Sequence, residues 1–174
     1  MTNLLFIEKV TRNQSPFDAK VRDVADQLGI EPDWLMMCMD IESDLNERAQ
    51  NKWTNAVGLI QFMPSTASGL GTSTAALLAM SNVEQMDFVY KYLRPYEWKM
   101  TSFVDVYFAI FFPIAIGKPA DYVLETDTIS AATIAEQNPD YDDGTGQVTV
   151  TSVEDSIMSK VPEDYYDVFQ KKTS

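Results

Sequence analysis

Residues 32–67 read PDWLMMCMDIESDLNERAQNKWTNAVGLIQFMPSTA, and the helix that opens this stretch decides how the chain is read. Pro32 is a helix-start residue, and Trp34, Leu35, Met36, Met37, Cys38, Met39 and Ile41 come after it, so nearly every face of the helix is apolar. A helix of that kind is buried. It ends on a carboxyl group: Glu42 shares a helical face with Leu35, Cys38 and Met39, at offsets of seven, four and three. Partial desolvation at the end of an apolar stripe disfavours the anion and raises the pKa, which is the condition a general acid needs near neutral pH. The alternative is an exposed last turn with Ser43 and Asp44 around Glu42, and the helix pattern taken alone favours that alternative.

Outward from this stretch the helical signals continue. Ser15-Pro16-Phe17-Asp18 reads as an N-cap, a first-turn proline and an acidic residue, and Phe17, Val21, Val24 and Leu28 recur at helical spacing up to Gly29. They predict a helix over 16–28. Pro64-Ser65-Thr66-Ala67 starts another, broken by Gly69 and Gly71. Ser81 with Glu84 makes a capping box for a helix to about Leu93, ended by Pro95. Thr101 or Ser102 caps a helix over 103–112, which Pro113 closes. Shorter helices are predicted near 130–137, 152–160 and 162–171, around an Asn-, Pro-, Asp- and Gly-rich loop from Asn138 to Gly146. Only Gln147 to Thr151 alternates like a strand. The expected class is therefore mainly α, without internal repeats. The last fifty residues are more acidic and less apolar. That shift divides the chain into a main helical domain over 1–124 and a C-terminal helical extension over 125–174 that packs on it.

Composition narrows the chemistry. A chain of 174 residues, 45% apolar and 11% aromatic, has the material for a substantial core. Its 26 acidic and 13 basic residues give a formal charge of -13, which repels phosphates and argues against nucleic acid or an anionic membrane as partner. With Cys38 as the single cysteine and no histidine, there is no internal disulfide, no multi-cysteine metal site and no Ser-His or Cys-His machinery. No metal and no cofactor is expected, and catalysis is left to carboxylates, amides, hydroxyls or tyrosine. The longest apolar stretch, Val106 to Ile116, is interrupted by Pro113 and is shorter than the roughly 20 residues that span a bilayer, so it reads as a core helix. The N-terminus has neither a basic start nor a small-residue cleavage site, and no Sec-type export signal is read there. The 138–149 loop has the composition of a calcium loop but not its register. With Gly146 at the sixth position, Tyr141 falls at the first and Ser152 at the twelfth, where Asp and Glu are needed, so it is read as an acidic turn. Tyr165, Tyr166 and Phe169 read as the docking face of a terminal helix.

The residues after Glu42 give it a meaning. Ile41-Glu42-Ser43-Asp44-Leu45-Asn46, then Ala49-Gln50-Asn51, then Asn55-Ala56-Val57-Gly58-Leu59-Ile60-Gln61-Phe62-Met63-Pro64-Ser65-Thr66-Ala67 resembles the signature of the soluble lytic transglycosylases and goose-type lysozymes. That signature is a helix-terminal Glu-Ser, a spacer with Ala and Asn, and Gly-Leu-(Met/Ile)-Gln-x-Met-Pro-x-Thr-Ala. An ordered match of this length is far more specific than one short motif. The resemblance implies a lysozyme-like helical fold, a peptidoglycan glycan strand as substrate, Glu42 as catalytic acid and base, and a cleft lined by Gly58, Leu59, Ile60, Gln61 and Met63.

Each residue type suits its place. Gly58 lets the backbone approach a sugar ring, and Gln61 offers an amide donor and acceptor to acetamido or hydroxyl groups. Ser43 is placed to hydrogen-bond substrate, Asn51 and Asn55 either bridge loop backbone at the site or do ordinary turn chemistry, and Leu59 and Phe62 are better read as core under the cleft. Pro64 is a helix-start residue. The family commonly carries a further Ala-Tyr-Asn motif downstream, whose Tyr hydrogen-bonds near the Glu. Here the region reads Ala109-Ile110-Phe111-Phe112-Pro113-Ile114-Ala115-Ile116-Gly117, without Tyr or Asn in register. Phe112 is taken as a cleft wall in the Tyr place, with Tyr107 as the alternative from one turn earlier and Phe111 as core.

Glycoside hydrolases need two carboxyls, whereas a lytic transglycosylase uses one for both proton transfers. Asp40, Asp44 and Glu47 lie near Glu42 in sequence and are read as helix-end charge. The resemblance leaves the product open between transglycosylase and hydrolase. Its setting is read as that of a bacteriophage, either a virion tail component with other tail proteins as partners or an endolysin held in the host cytoplasm until release. The alternative function is a catalytically weak, glycan-binding structural part of a phage tail or baseplate.

Overall fold

The computed structural model describes residues 3–172. Its described residues form nine α-helices joined by short 3-10 turns, with isolated bridges in place of strands, so the class is mainly α as predicted. They fall into two compact units, one ending at Thr101 and the other spanning Ser102–Lys172.

The first unit is built on α1 (Gln14–Leu28), α2 (Pro32–Ser43) and α5 (Asn82–Leu93), with α1 packed against both of the others. Phe17, Val21, Val24 and Leu28 of α1 are buried, as their spacing requires. Trp34 to Met39 of α2 are sealed from solvent, each contributing roughly 1.5–3 kcal/mol per large apolar side chain. That burial fixes the axis of α2 and hence the place of its last turn. Two short helices, α3 (Pro64–Gly69) and α4 (Thr74–Ala79), lie between. Nothing in the sequence pattern anticipated α4, although Ser73 caps it by accepting the Ala76 N–H at 3.1 Å.

Helix α1 corrects one expectation. Ser15 is not its N-cap, because the helix already runs at Gln14. Asn13 holds the cap position in a left-handed conformation (φ 51°), its carbonyl accepting the Phe17 N–H at 2.8 Å while its side-chain amide donates to Asn82 Oδ1 at 3.2 Å. A contact with α5 thus sets the start. The capping box of α5 forms as read: Ser81 Oγ accepts the Glu84 N–H, and the Glu84 carboxylate accepts the Ser81 N–H at 2.8 Å.

The second unit holds α6 (Phe103–Phe111), α7 (Ala131–Gln137), α8 (Val150–Met158) and α9 (Tyr166–Phe169). Ser102, rather than Thr101, caps α6 by accepting the Asp105 N–H at 3.2 Å. The alternation over 147–151 yields only the bridges Val123↔Thr149 and Asp142↔Val148, because Thr149 becomes the N-cap of α8 and turns the chain helical at Val150. The helix predicted over 162–171 shrinks to a 3-10 turn, Glu163–Tyr165, and α9, since of its aromatic residues only Phe169 is buried. In the 138–149 loop, Asp142 Oδ1 accepts the Gly144 and Gly146 N–H groups at 2.9 and 3.0 Å.

The two compact units meet ahead of α6 in the chain. Aromatic packing is the reason. Phe103 meets Phe169 edge to face at 4.7 Å, Tyr107 stacks on Phe111 at 5.7 Å, and the Tyr107 hydroxyl hydrogen-bonds that of Tyr141. No described helix is long and apolar enough to cross a membrane.

Candidate active site

Glu42 stands half-buried in the last turn of α2, below a stripe that includes the sealed Leu35, Cys38 and Met39. The helix stops through two consecutive left-handed residues, Asp44 (φ 54°) and Leu45 (φ 57°). The Asp44 N–H returns to the Asp40 carbonyl at 2.8 Å, and Leu45, nearly fully buried, donates its N–H to Met39 at 3.2 Å. A cation pins the same end: Lys9 Nζ lies 2.6 Å from Asp40 and 2.9 Å from Asp44. The hydrogen bond from Lys9 pulls the Asp44 carboxyl below its ordinary value, and the bond to Asp40 raises Lys9 above its own. Two of the three neighbouring carboxylates are thereby held by Lys9, and the third, Glu47, lies 3.9 Å from Arg48.

The Gly-Leu-Ile-Gln segment is a tight turn. Val57 and Phe62 exchange backbone hydrogen bonds at 3.1 and 2.8 Å, and between them the Gln61 N–H closes on the Gly58 carbonyl at 3.1 Å. Gln61 Nε2 donates to the Gly58 carbonyl at 3.1 Å and to the Ala49 carbonyl at 3.4 Å. The side-chain nitrogen is thus folded onto backbone. Ser43 joins this turn to α2, its hydroxyl lying 2.9 Å from the Met39 carbonyl and 2.8 Å from the Leu59 carbonyl. Ser43 is thus a strap between the Glu-bearing helix end and the turn.

Gly58 is required by the packing of the turn itself. Its φ is +79°, and a Cβ there would lie 2.5 Å from Gln85 Oε1. Gln85, fully buried on α5, accepts the Leu59 N–H at 3.0 Å and donates to the carbonyls of Glu47 at 2.7 Å and Leu77 at 2.8 Å. One amide therefore clamps the turn, the loop after α2 and the end of α4. The signal for it is in the sequence: Asn82 and Gln85 are polar residues in the stripe that Met86, Val89 and Leu93 bury.

A second residue passed over is Tyr92, in the last turn of α5. Its ring meets Phe62 edge-on at 6.4 Å and tilts against Tyr96 at 6.4 Å. Burial first, then the neighbouring Tyr96 and Glu42, push the Tyr92 phenol up to about 12. Burial, with Glu42 behind it, likewise pushes the Cys38 thiol well above its ordinary value. Both groups therefore stay uncharged near neutral pH, and Glu42 acts on each of them electrostatically. The i, i+4 spacing of Tyr92 and Tyr96 is the only trace of this in the sequence.

The remaining predicted residues divide. Ile60 is 4% exposed and is buried like Leu59 and Phe62 beside it in the turn. Met63 is 43% exposed and remains available. Asn55 is exposed and left-handed (φ 58°), donating its N–H to Asn51, whose side chain in turn accepts from Trp53 and Thr54; both asparagines build the loop that leads to Gly58. Phe112 belongs to the second unit, at the end of α6, tilted against Phe111 at 6.4 Å. Tyr107, the alternative to it, is buried with its hydroxyl bonded to Tyr141. Among the described residues no group of three or more Asp, Glu or Cys side chains is arranged to hold a metal ion.

Residues 20–88 match the family model described as the transglycosylase SLT domain. The matched segment is a transglycosylase SLT domain. No curated protein and no solved structure matches the chain. The SLT domain lies within the first compact unit and takes in α2, the Glu42 turn, the Gly58 turn and Gln85. Members of this family are peptidoglycan lytic transglycosylases, so the domain carries a transglycosylase-type function with peptidoglycan as its substrate.

Proposed function

We propose that this chain cleaves the β-1,4 bond between N-acetylmuramic acid and N-acetylglucosamine in peptidoglycan as a lytic transglycosylase, with Glu42 as its general acid and base. The observation that carries the reading is the half-buried Glu42 in the last turn of α2, next to Ser43, whose hydroxyl ties that turn to the Gly58 turn through the Leu59 carbonyl. In the first step Glu42 gives its proton to the glycosidic oxygen as the bond from that oxygen to the muramic anomeric carbon breaks. In the second step the carboxylate takes the proton of the muramic C6 hydroxyl, whose oxygen bonds to the same anomeric carbon. The product is a 1,6-anhydro end, and Glu42 is protonated again. A single carboxyl suffices for this sequence, and the engagement of Asp40 and Asp44 by Lys9 supports a single-carboxyl scheme over a two-carboxyl hydrolase. Tyr92 acts as a positioning residue, a protonated phenol beside the carboxylate. Gln61 and Met63 are the cleft residues that meet sugar.

The test is digestion of purified wall. Wild-type protein releases anhydro-muropeptides and Glu42→Gln, with an unchanged melting temperature, does not. Equal clearing by both removes Glu42 from its role, and reducing ends in place of anhydro ends make the enzyme a hydrolase.

A second reading, a catalytically weak glycan-binding part, rests on the missing Ala-Tyr-Asn motif and on the engagement of the Tyr107 hydroxyl by Tyr141. Intact strands after exhaustive incubation would favour it. We place the protein in a bacteriophage, as a tail component or an endolysin acting on the cell wall, on the Phe-Phe-Pro-Ile-Ala-Ile-Gly variant of residues 111–117. Tail or holin genes beside the coding sequence are the expected finding, and chromosomal cell-wall synthesis genes there would count against it.

A further inference from the structure

The sequence has three tryptophans: Trp34 is sealed in α2, Trp53 is 95% exposed on the loop before Gly58, and Trp98 is 88% exposed. Trp98 sits on the 3-10 turn Arg94–Lys99 and lines a groove of about 300 Å³ between that turn and the C-terminal end of α1. Leu28 and Met100, both nearly fully buried, form the floor, and Asp26, Gln27 and Glu97 stand along the sides. The indole gains nothing from the fold in this position. A tryptophan held in water beside a concave site with acceptor side chains is a common plan for small-ligand recognition, an apolar wall with a few polar groups that orient the occupant.

The chemistry of the lining selects the occupant. The two carboxylates repel phosphates and other anions. A quaternary or methylated ammonium is usually held in a cage of several rings, and here there is one. A protein partner needs roughly 800 Å² on each side, whereas the apolar surface here ends at the indole because Leu28 and Met100 are already covered. A neutral pyranose fits what remains: its C–H face covers an indole, and its hydroxyls donate to Asp26, Glu97 and the Gln27 amide oxygen.

We propose that the Trp98 groove binds an N-acetylamino-sugar of the glycan strand as a second site, apart from Glu42. The choice of a glycan rests on the proposed function. The groove lies at the α1 end that leads through residues 29–31 into the start of α2, while Glu42 is in the last turn of α2. At 1.5 Å rise per residue, Pro32 and Glu42 are about 15 Å apart along that helix. The groove therefore holds a strand away from the bond being cut and tethers the enzyme to insoluble wall.

The experiment uses the full chain as Glu42→Gln, labelled with ¹⁵N-tryptophan so that its three indoles give separate resonances. It is titrated with the β-1,4-linked N-acetylglucosamine tetramer, and Trp98→Ala assigns the signal. The Trp98 indole moves saturably while buried Trp34 does not. In the same background Trp98→Ala weakens binding to insoluble peptidoglycan by roughly tenfold or more, the effect of removing an anchoring indole. In the Glu42 enzyme Trp98→Ala leaves kcat on short soluble strands unchanged. A static Trp98 resonance overturns the proposal, as does a response confined to Trp53, or a Trp98 shift that tracks protein concentration without sugar. If Trp98 responds yet the wild-type enzyme makes no anhydro product, the groove stands and the catalytic reading falls; product without a Trp98 response gives the reverse.

Discussion

Gly58 and Gln85 depend on each other, and substitutions at the two positions fail in different ways. Gly58→Ala meets both a positive φ and a contact of 2.5 Å with the Gln85 amide oxygen, so it is expected to cost about 1–3 kcal/mol in urea unfolding. Gln85→Leu keeps the volume but leaves the Leu59 N–H and the Glu47 and Leu77 carbonyls without their partner, a loss of roughly 3 kcal/mol from buried unsatisfied groups. A Gln85→Leu protein as stable as wild type would show that the clamp contributes nothing. Tyr92→Phe tests a different link, since it removes the hydroxyl beside Glu42 and keeps the ring on Phe62. With the phenol pushed up to about 12, it stays protonated through the alkaline range, so kcat should fall by a similar factor near pH 6 and near pH 9, with KM little changed. A loss seen only at high pH would contradict this. At this scale the stretch from Glu42 to Gln61 was legible as a motif because its order along the chain carries the signature. The contacts of Ser43, Gly58 and Ile60 were not, because a hydroxyl, a glycine and an isoleucine serve a substrate or a core equally well until their neighbours are known.

Elements differed in legibility according to how local their signals are. Helix α5 was readable to the residue because a capping box is closed between Ser81 and Glu84, three positions apart. Ser81→Ala should lower stability by about 1 kcal/mol, measured by thermal or urea unfolding, and Ser81→Thr should not. The start of α1 was misread because Asn13 answers to Asn82, and α9 because a terminal helix with one buried aromatic residue lacks the apolar face to extend. The end of α2 depends on Lys9 in the same non-local way. Asp44 has a lowered carboxyl, so its share of stability is present above the ordinary carboxylate range and is lost as pH falls through the lowered value. Lys9 is raised, so its share is present below the ordinary lysine value and lost as pH climbs through the raised one. Asp44 is largely solvated and Lys9 partly so, and the effect is small. Lys9→Met is therefore expected to flatten the acid limb of the stability profile below about pH 4, and an unchanged limb would mean that the strap is inert.

For the whole molecule, the formal charge of -13 works against a substrate that carries lactyl and peptide carboxylates. Raising ionic strength from about 0.01 M to about 0.15 M shortens the Debye length from roughly 30 Å to roughly 8 Å, so binding to insoluble wall should strengthen over that range. Weakening would mean that a local cationic patch governs contact. The amino-acid order alone determined that the chain is mainly α, that α2 is buried, and that a helix-terminal carboxyl is followed by a glycine-leucine-isoleucine-glutamine segment, since each of those is written in residues close together. Only the tertiary structure decided that Gln85 and Tyr92 frame that stretch, that Ser43 straps it, and that the chain divides before α6. Those outcomes rest on partners far apart in the chain, such as Gln85 with Glu47 and Phe103 with Phe169. Spacing along a chain does not encode which distant surfaces will meet, because that is settled by the shape and burial of every side chain at once.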